Sequence, residues 1–182
     1  MQSASASRPP SSRIAALHAR AVAEADEMVR RSLADPAVLA RKAASVSAWS
    51  AAEHLEHLQL TGQMMLQSIE DALRTPPRDA EKRPIFLAYV VLWTGYIPRG
   101  KGQAPPEFLP RPGMGLEAIR ADLRRFREDL GRLALRLGEV ARATGRARHP
   151  FFGFVTARQW LRMLEVHQRH HLKILAELEG RA

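Results

Sequence analysis

A helix near the C-terminus of the chain carries histidines in the middle of its apolar face. At about 100° per residue, the segment from Trp160 to Leu178 forms one broad apolar stripe, and His167 and His171 lie side by side within it. His170 falls about 60° to the other side, towards the edge of the stripe. Two imidazoles one helical turn apart can present two nitrogens to a single metal ion. Because burying an imidazole without a partner is costly, we expect another part of the chain to meet this pair with a polar group.

The second long helix has the most distinct start in the sequence. Ser50 and Glu53 have the spacing of a capping box, in which each side chain accepts a hydrogen bond from the other residue's backbone N–H. The helix is predicted to continue to about Leu73. His57 falls within its apolar arc, and His54 lies about 60° further round, nearer the edge. His57 is therefore the favoured partner for the C-terminal pair, and the alternative is that both histidines only flank the core.

Further helices follow from the hydrophobic pattern. They are predicted at residues 12–33, 36–44 and 116–142, and a fourth long helix begins at a second capping box formed by Thr156 and Gln159. No long helix is predicted between residues 75 and 115, although the apolar run from Ile85 to Tyr96 is predicted to form a short buried helix. This gap is too long for a hairpin between antiparallel neighbours, and a long crossover lets the helices on either side of it run parallel.

Two other histidines stand where they could reach the same interior. His18 lies inside the apolar arc of the first helix, and His149 precedes a proline in a predicted loop at residues 149–153. A lone histidine that faces the core is more often hydrogen-bonded than metal-bound, so His18 is predicted to be a pocket residue. If either histidine coordinated a metal as a fourth donor, the site would be closed to other ligands.

Composition limits the kind of metal site and the kind of partner. The chain has no cysteine, so a metal ligand must be nitrogen or oxygen. The net charge of +9 could indicate nucleic acid, an anionic membrane or an acidic small substrate. The arginines are spread over the helices, however, and the densest cluster, around Arg124 and Arg125, alternates with acidic residues as on a solvated helix face. We therefore expect no nucleic-acid partner and no membrane partner.

The ends and the apolar runs of the chain indicate one domain. Residues 1–12 are small, polar and proline-containing, which predicts a flexible tail without the apolar stretch of a secretory signal. Residues 13–182 are predicted to form a single domain. The run from Ile85 to Tyr96 is too short to span a bilayer, which needs about 20 residues. A soluble protein without cysteine fits the reducing cytoplasm, which is the expected location.

Three segments together resemble the DinB-like superfamily. The segment WSAAEHLEHL, from Trp49 to Leu58, is similar to the W-S-x-x-E-x-x-x-H-L signature of that family. The segment HQRHH, from His167 to His171, resembles its H-x-x-x-H element on the last helix of the bundle. The segment HPFFGFVTARQW, from His149 to Trp160, is similar to a stretch of one uncharacterised branch.

The resemblance implies a fold and a metal site. The fold is an all-α four-helix bundle in up-down-down-up order, with the long crossover between helices 2 and 3. The implied site is a divalent metal ion, zinc or nickel in known relatives, held by His57, His167 and His171. The resemblance places His54 and His170 outside the set of residues that bind the metal. Characterised relatives include thiol S-transferases that use low-molecular-weight thiols and a maleylpyruvate isomerase.

Two classes of function follow from these expectations. One is a metal-dependent enzyme of thiol S-transferase or hydrolase type that acts on a small molecule, with a low-molecular-weight thiol as one candidate. The other is a non-catalytic bundle in which the metal only joins helices, as a binding or dimerisation module, and a homodimer is left open. No general base is identified. Glu53 is used by the capping box, and Glu56 is predicted to face solvent.

Overall fold

The computed structural model of the protein describes residues 12–76, 83–100 and 104–180. The predicted tail at residues 1–12 lies outside this range except for Ser12, which begins the first helix. Helices and one antiparallel hairpin make up the regular structure of the described residues: α1 Ser12–Ser32, α2 Pro36–Leu39, α3 Ala51–Arg74, α4 Phe86–Thr94, α5 Leu116–Arg132, α6 Leu137–Arg142, α7 Ala157–Leu178, β1 Arg146–His149 and β2 Gly153–Thr156. No helix among them is long and apolar enough to cross a bilayer.

The four long helices pack around one apolar core. Helix α3 contacts α5 and α7, and α1 contacts the same two helices from the other side. The largest fully buried side chains come from all four of them and include Ile14, Met28, Leu58, Ile69, Leu123, Phe126, Trp160 and Leu161. The mainly helical structure agrees with the predicted all-α class, and the up-down-down-up order stays a prediction.

Both predicted capping boxes are confirmed, and they fix where the two histidine helices begin. At the start of α3, the backbone N–H of Ser50 donates to Glu53 Oε2 at 2.6 Å, and that of Glu53 donates to Ser50 Oγ at 3.2 Å. At the start of α7, Thr156 and Gln159 form the same reciprocal pair. Each pair satisfies backbone donors that a helix start leaves without partners.

Three segments differ from the prediction for local reasons. The predicted helix at 36–44 is only one turn, capped by Asp35. The predicted continuous helix at 116–142 is interrupted by a 3₁₀ turn at Leu133–Arg136. Leu135, an apolar residue of this turn, is 89% exposed. The predicted loop at 149–153 is the turn of the β1–β2 hairpin, where Gly153 pairs with His149 at a φ of 74° that favours glycine.

The segment from Ile85 to Tyr96 does form a helix, but the prediction that it is buried is wrong. Only Ala88 and Val91 of α4 are buried. The helix is short and packs against α7 along one narrow face, so its large apolar side chains on the other faces stay exposed.

A buried carboxylate ties α7 to its neighbours. The Glu165 side chain is fully buried and accepts hydrogen bonds from Arg162 and, at 2.6 Å, from Arg169. The same two arginines donate to backbone carbonyls at the end of α4. Burial and the nearby charge of Glu165 raise the pKa of Glu24, on α1, to about 8, so Glu24 is protonated at neutral pH. The ion pairs of Glu165 lie within α7, and they hold the two arginines whose hydrogen bonds link α7 to α4.

Close packing between α3 and α5 gives a first prediction. We expect Gly62→Ala to lower the free energy of unfolding by about 1–2 kcal/mol, since overpacking outweighs the gain in helix propensity. A Cβ at this position would lie 2.6 Å from Cε2 and 2.7 Å from Cζ of Phe126, whose ring is fully buried. Urea unfolding followed by circular dichroism measures the change. The control is Gly131→Ala on α5, where the atom near the added Cβ is the flexible end of the Arg127 side chain at 3.0 Å. Equal unfolding midpoints for the two variants would contradict the prediction.

Candidate metal centre

Three histidines meet between α3 and α7. His57 comes from α3, and His167 and His171 come from α7 one turn apart. Each offers a ring nitrogen, and these nitrogens lie within 4.8 Å of one another. His57 and His171 are buried, whereas His167 is half-buried and reaches the protein surface. The structure thus brings together the three residues that the sequence predicts.

Hydrogen bonds define which nitrogen of His57 is free. His57 Nδ1 lies 2.7 Å from the backbone carbonyl oxygen of Phe108. A carbonyl can only accept, so Nδ1 carries the proton and donates it. In a neutral imidazole the other nitrogen then has a bare lone pair, and His57 Nε2 is that nitrogen.

The hydroxyl of Thr61 indicates which nitrogen of His167 carries the proton. Thr61 Oγ1 donates its only proton to the carbonyl oxygen of His57 at 2.8 Å. It also lies 3.5 Å from His167 Nδ1, towards which it can act only as an acceptor. With Thr61 donating to the carbonyl oxygen, the favoured tautomer of His167 has its proton on Nδ1 and a bare Nε2.

The two bare nitrogens face each other. His57 Nε2 and His167 Nε2 are 3.4 Å apart. With both rings protonated on Nδ1, neither nitrogen has a proton to place between them. Two imidazole nitrogens bound to one ion at tetrahedral angles are about 3.3 Å apart, given bonds of about 2.0–2.1 Å. The donor set and this distance fit a divalent metal ion, and a cation removes the repulsion between the two lone pairs.

His54 supports the third histidine. His54 Nδ1 lies 3.0 Å from His171 Nδ1, and His54 Nε2 lies 2.9 Å from the hydroxyl of Ser47. When His54 donates from Nε2 to Ser47, its Nδ1 accepts from His171 Nδ1. In that tautomer the Nε2 of His171 carries no proton. His54 is not a member of the three-histidine cluster, but it is buried and contacts the cluster directly, which its predicted position nearer the helix edge does not indicate.

Electrostatics keeps the site neutral and ready to bind a cation. Burial, reinforced by the neighbouring histidines, lowers the pKa of His167 and of His171 well below the ordinary value of 6.5. Burial likewise lowers the pKa of His57, and it lowers the pKa of His54 to about 4. At neutral pH these imidazoles are therefore uncharged, which is the form that binds metal ions.

The remaining predicted histidines do not join the cluster. His18 is hydrogen-bonded through Nε2 to the carbonyl oxygen of Leu130 at 2.8 Å, as predicted for a lone core histidine. His149 stacks on the ring of Phe152 with a centroid distance of 4.5 Å. His170 contacts the ring of His171 edge-on and lies outside the cluster. Among the residues that the structure describes, neither His18 nor His149 supplies a fourth donor.

Glu56 is buried, and the prediction that it faces solvent is wrong. Its side chain is 3% exposed and accepts from Arg111 Nε at 2.7 Å and from the Arg111 backbone N–H at 3.2 Å. The segment that follows residue 104 folds over α3 and brings this arginine with it. The same segment carries the Phe108 carbonyl that orients His57. The ion pair thus holds an outer partner of the candidate site in place.

The ion pair between Glu56 and Arg111 gives a second prediction. We expect Arg111→Ala to weaken Zn²⁺ affinity about 10-fold, because loss of an outer partner costs about 10- to 100-fold and here that partner is loosened rather than removed. Competition with a chromophoric chelator measures the affinity. Arg124→Ala, an exposed position on α5, is the matched control. Unchanged affinity in both variants would show that this segment does not orient His57.

One of the comparisons with known proteins identifies a family. No curated protein and no solved structure shows significant similarity to the chain. The family model described as the DinB superfamily matches residues 20–175, a range that contains all three clustered histidines and most of the chain. The protein therefore belongs to the DinB superfamily.

Proposed function

We propose that the protein is a metal-dependent enzyme that acts on a small molecule at the three-histidine site. The observation that supports this proposal is the 3.4 Å distance between His57 Nε2 and His167 Nε2, which matches two ligands of one ion. Zinc and nickel are the favoured ions, since both accept imidazole ligands. His167 is the member of the cluster that is only half-buried, so we expect a ligand from solvent to approach from its side.

The residues of the chain would hold the ion and leave a position free. A divalent ion held by three imidazoles supplies a Lewis acid that lowers the pKa of a coordinated water or thiol towards neutrality. The Phe108 carbonyl, Thr61 and His54 keep the three rings oriented through their Nδ1 atoms. None of these outer partners is a carboxylate, so the site would keep a net positive charge and favour an anionic ligand.

Thiol transfer is favoured over hydrolysis because no general base is apparent beside the cluster among the residues that the structure describes. Glu53 is engaged in the capping box and with Lys42, and Glu56 is engaged with Arg111. A thiol needs only to be deprotonated to become a strong nucleophile, whereas hydrolysis benefits from a base that takes a proton from water. The proposed reaction class is therefore S-transfer from a low-molecular-weight thiol to an electrophilic small molecule.

A non-catalytic role is the alternative. A metal bound by α3 and α7 would join the two helices and could stabilise the bundle without any reaction. Structural zinc sites usually have four protein ligands, however, and His18 and His149 both lie outside the cluster. A free coordination position on the metal would indicate the catalytic role, and a fourth protein ligand would indicate the structural role.

The ligand set can be tested by metal content. We expect the purified protein to bind about one divalent ion per chain and His171→Ala to lose it. His54→Ala should keep the stoichiometry at saturating metal while its affinity falls about 10- to 100-fold, as for an outer partner. His170→Ala, on the same helix but outside the cluster, is the control. Elemental analysis and chelator competition measure both quantities. Stoichiometric metal in His171→Ala, or loss confined to His54→Ala, would overturn the ligand assignment.

The open position can be tested with Co²⁺ and a small thiol. We expect 2-mercaptoethanol to give the Co²⁺-loaded protein a thiolate-to-cobalt charge-transfer band in the near ultraviolet, because the thiol can enter a free position. The absorption spectrum measures this directly, and His171→Ala treated in the same way is the control. A spectrum that does not change at any thiol concentration would indicate a closed site and favour the structural role. A positive result would be followed by a screen for thiol transfer to model electrophiles.

A further inference from the structure

Helix α4 turns an apolar face to solvent. Ala88 and Val91 pack inward, whereas Phe86 is 82% exposed and Trp93 is 86% exposed. We define the α4 face as the exposed large apolar residues of this segment: Ile85, Phe86, Leu87, Tyr89, Val90, Trp93 and Tyr96. Phe86, Tyr89, Val90 and Trp93 follow the i, i+3, i+4, i+7 spacing of a single helical stripe. A continuous stripe of this kind is unusual on a surface.

The α4 face is uncharged and held in place. The sequence from Pro84 to Pro98 contains no aspartate, glutamate, lysine or arginine. Arg162 donates to the Leu92 carbonyl oxygen at 3.1 Å, and Arg169 donates to that of Gly95 at 3.1 Å. Both arginines are also paired with the buried Glu165. The face is therefore presented on a fixed helix, so a partner would not have to order it.

The size of the face matches that of a stable interface. Phe, Tyr and Trp side chains each offer roughly 150–250 Å². With the observed exposures, the four aromatic residues and three aliphatic residues present on the order of 800 Å² of apolar surface. The largest apolar patch of a typical monomer is about 300–600 Å². A standard interface buries about 800 Å² on each partner.

We propose that the α4 face binds the α4 face of a second copy of the chain, in a two-fold symmetric homodimer. In such a dimer one patch meets itself, so two copies would bury about 1,600 Å² in total, which is the standard interface size. A chain of net charge +9 repels its own copies over most of its surface. The uncharged α4 face is a part of the surface where two copies can approach without that repulsion.

Other occupants are less suited to this face. The N-terminal sequence MQSASASRPPS is mostly small and polar, so it offers little apolar surface to cover α4. An anionic membrane would require free cations around the helix. Of the arginines that flank or contact α4, Arg99, Arg162 and Arg169 are paired with Glu177 and Glu165, whereas Arg83, before the start of the helix, is exposed. A second copy offers the same uncharged apolar surface that the face presents.

The oligomeric state of the full chain tests the proposal. We expect light scattering after gel filtration to give about twice the chain mass of 20.4 kDa for the wild type. Trp93→Glu should raise the dimer dissociation constant at least about 30-fold, because it places like charges in an apolar interface. Leu135→Glu, at a highly exposed leucine outside the α4 face, is the control and should remain dimeric. Circular dichroism of both variants checks that they are folded.

Cross-linking tests which surface forms the dimer. The chain has no cysteine, so a single introduced cysteine reports on its own position. Tyr89→Cys or Val90→Cys, in the middle of the α4 face, should give a covalent dimer with a flexible bismaleimide cross-linker, and Leu135→Cys should not. A monomeric wild type at all concentrations would overturn the proposal. So would a Trp93→Glu variant that stays dimeric, or the absence of cross-linking at both α4 positions. A monomer that binds anionic phospholipid vesicles through Trp93 would assign the face to membranes instead.

Discussion

Imidazoles buried between α3 and α7 need partners, and much of the surrounding structure supplies them. His57 donates to a backbone carbonyl, His167 has a threonine hydroxyl beside its Nδ1, and His171 has a second imidazole. Each of these partners lies at an Nδ1 atom, and the Nε2 atoms of His57 and His167 lie 3.4 Å apart. A buried polar group without a partner costs free energy, so the cluster is stable only if a cation or a proton occupies the space between the bare nitrogens.

The sequence predicts the two histidine helices well because the information is local. A capping box specifies the first residue of α3 and of α7, and the helical period then determines which residues share a face. The prediction that His57, His167 and His171 form one site follows from these two facts and from the family resemblance. The structure brings the three together between the helices that were predicted to carry them.

Features that depend on distant segments could not be predicted in the same way. The Phe108 carbonyl belongs to the backbone, so no residue type marks it as the partner of His57. Glu56 is buried only because a segment about 55 residues further along covers it with Arg111. The exposure of α4 also depends on tertiary packing, because the helix contacts α7 along only one narrow face. An apolar run of that composition is equally compatible with a core helix, and only the tertiary arrangement distinguishes the two.

The capping boxes have a consequence for how the length of this chain can vary. Ser50 precedes His57 by seven residues and Thr156 precedes His167 by eleven, and both intervals are within about 20° of a whole number of helical turns. Adding or removing one residue in either interval would rotate the rest of the helix by about 100° and move the imidazole off the shared face. A change of length between α3 and α5 leaves both intervals intact. Insertions and deletions among natural relatives should therefore collect in that connection and be rare between each cap and its histidine.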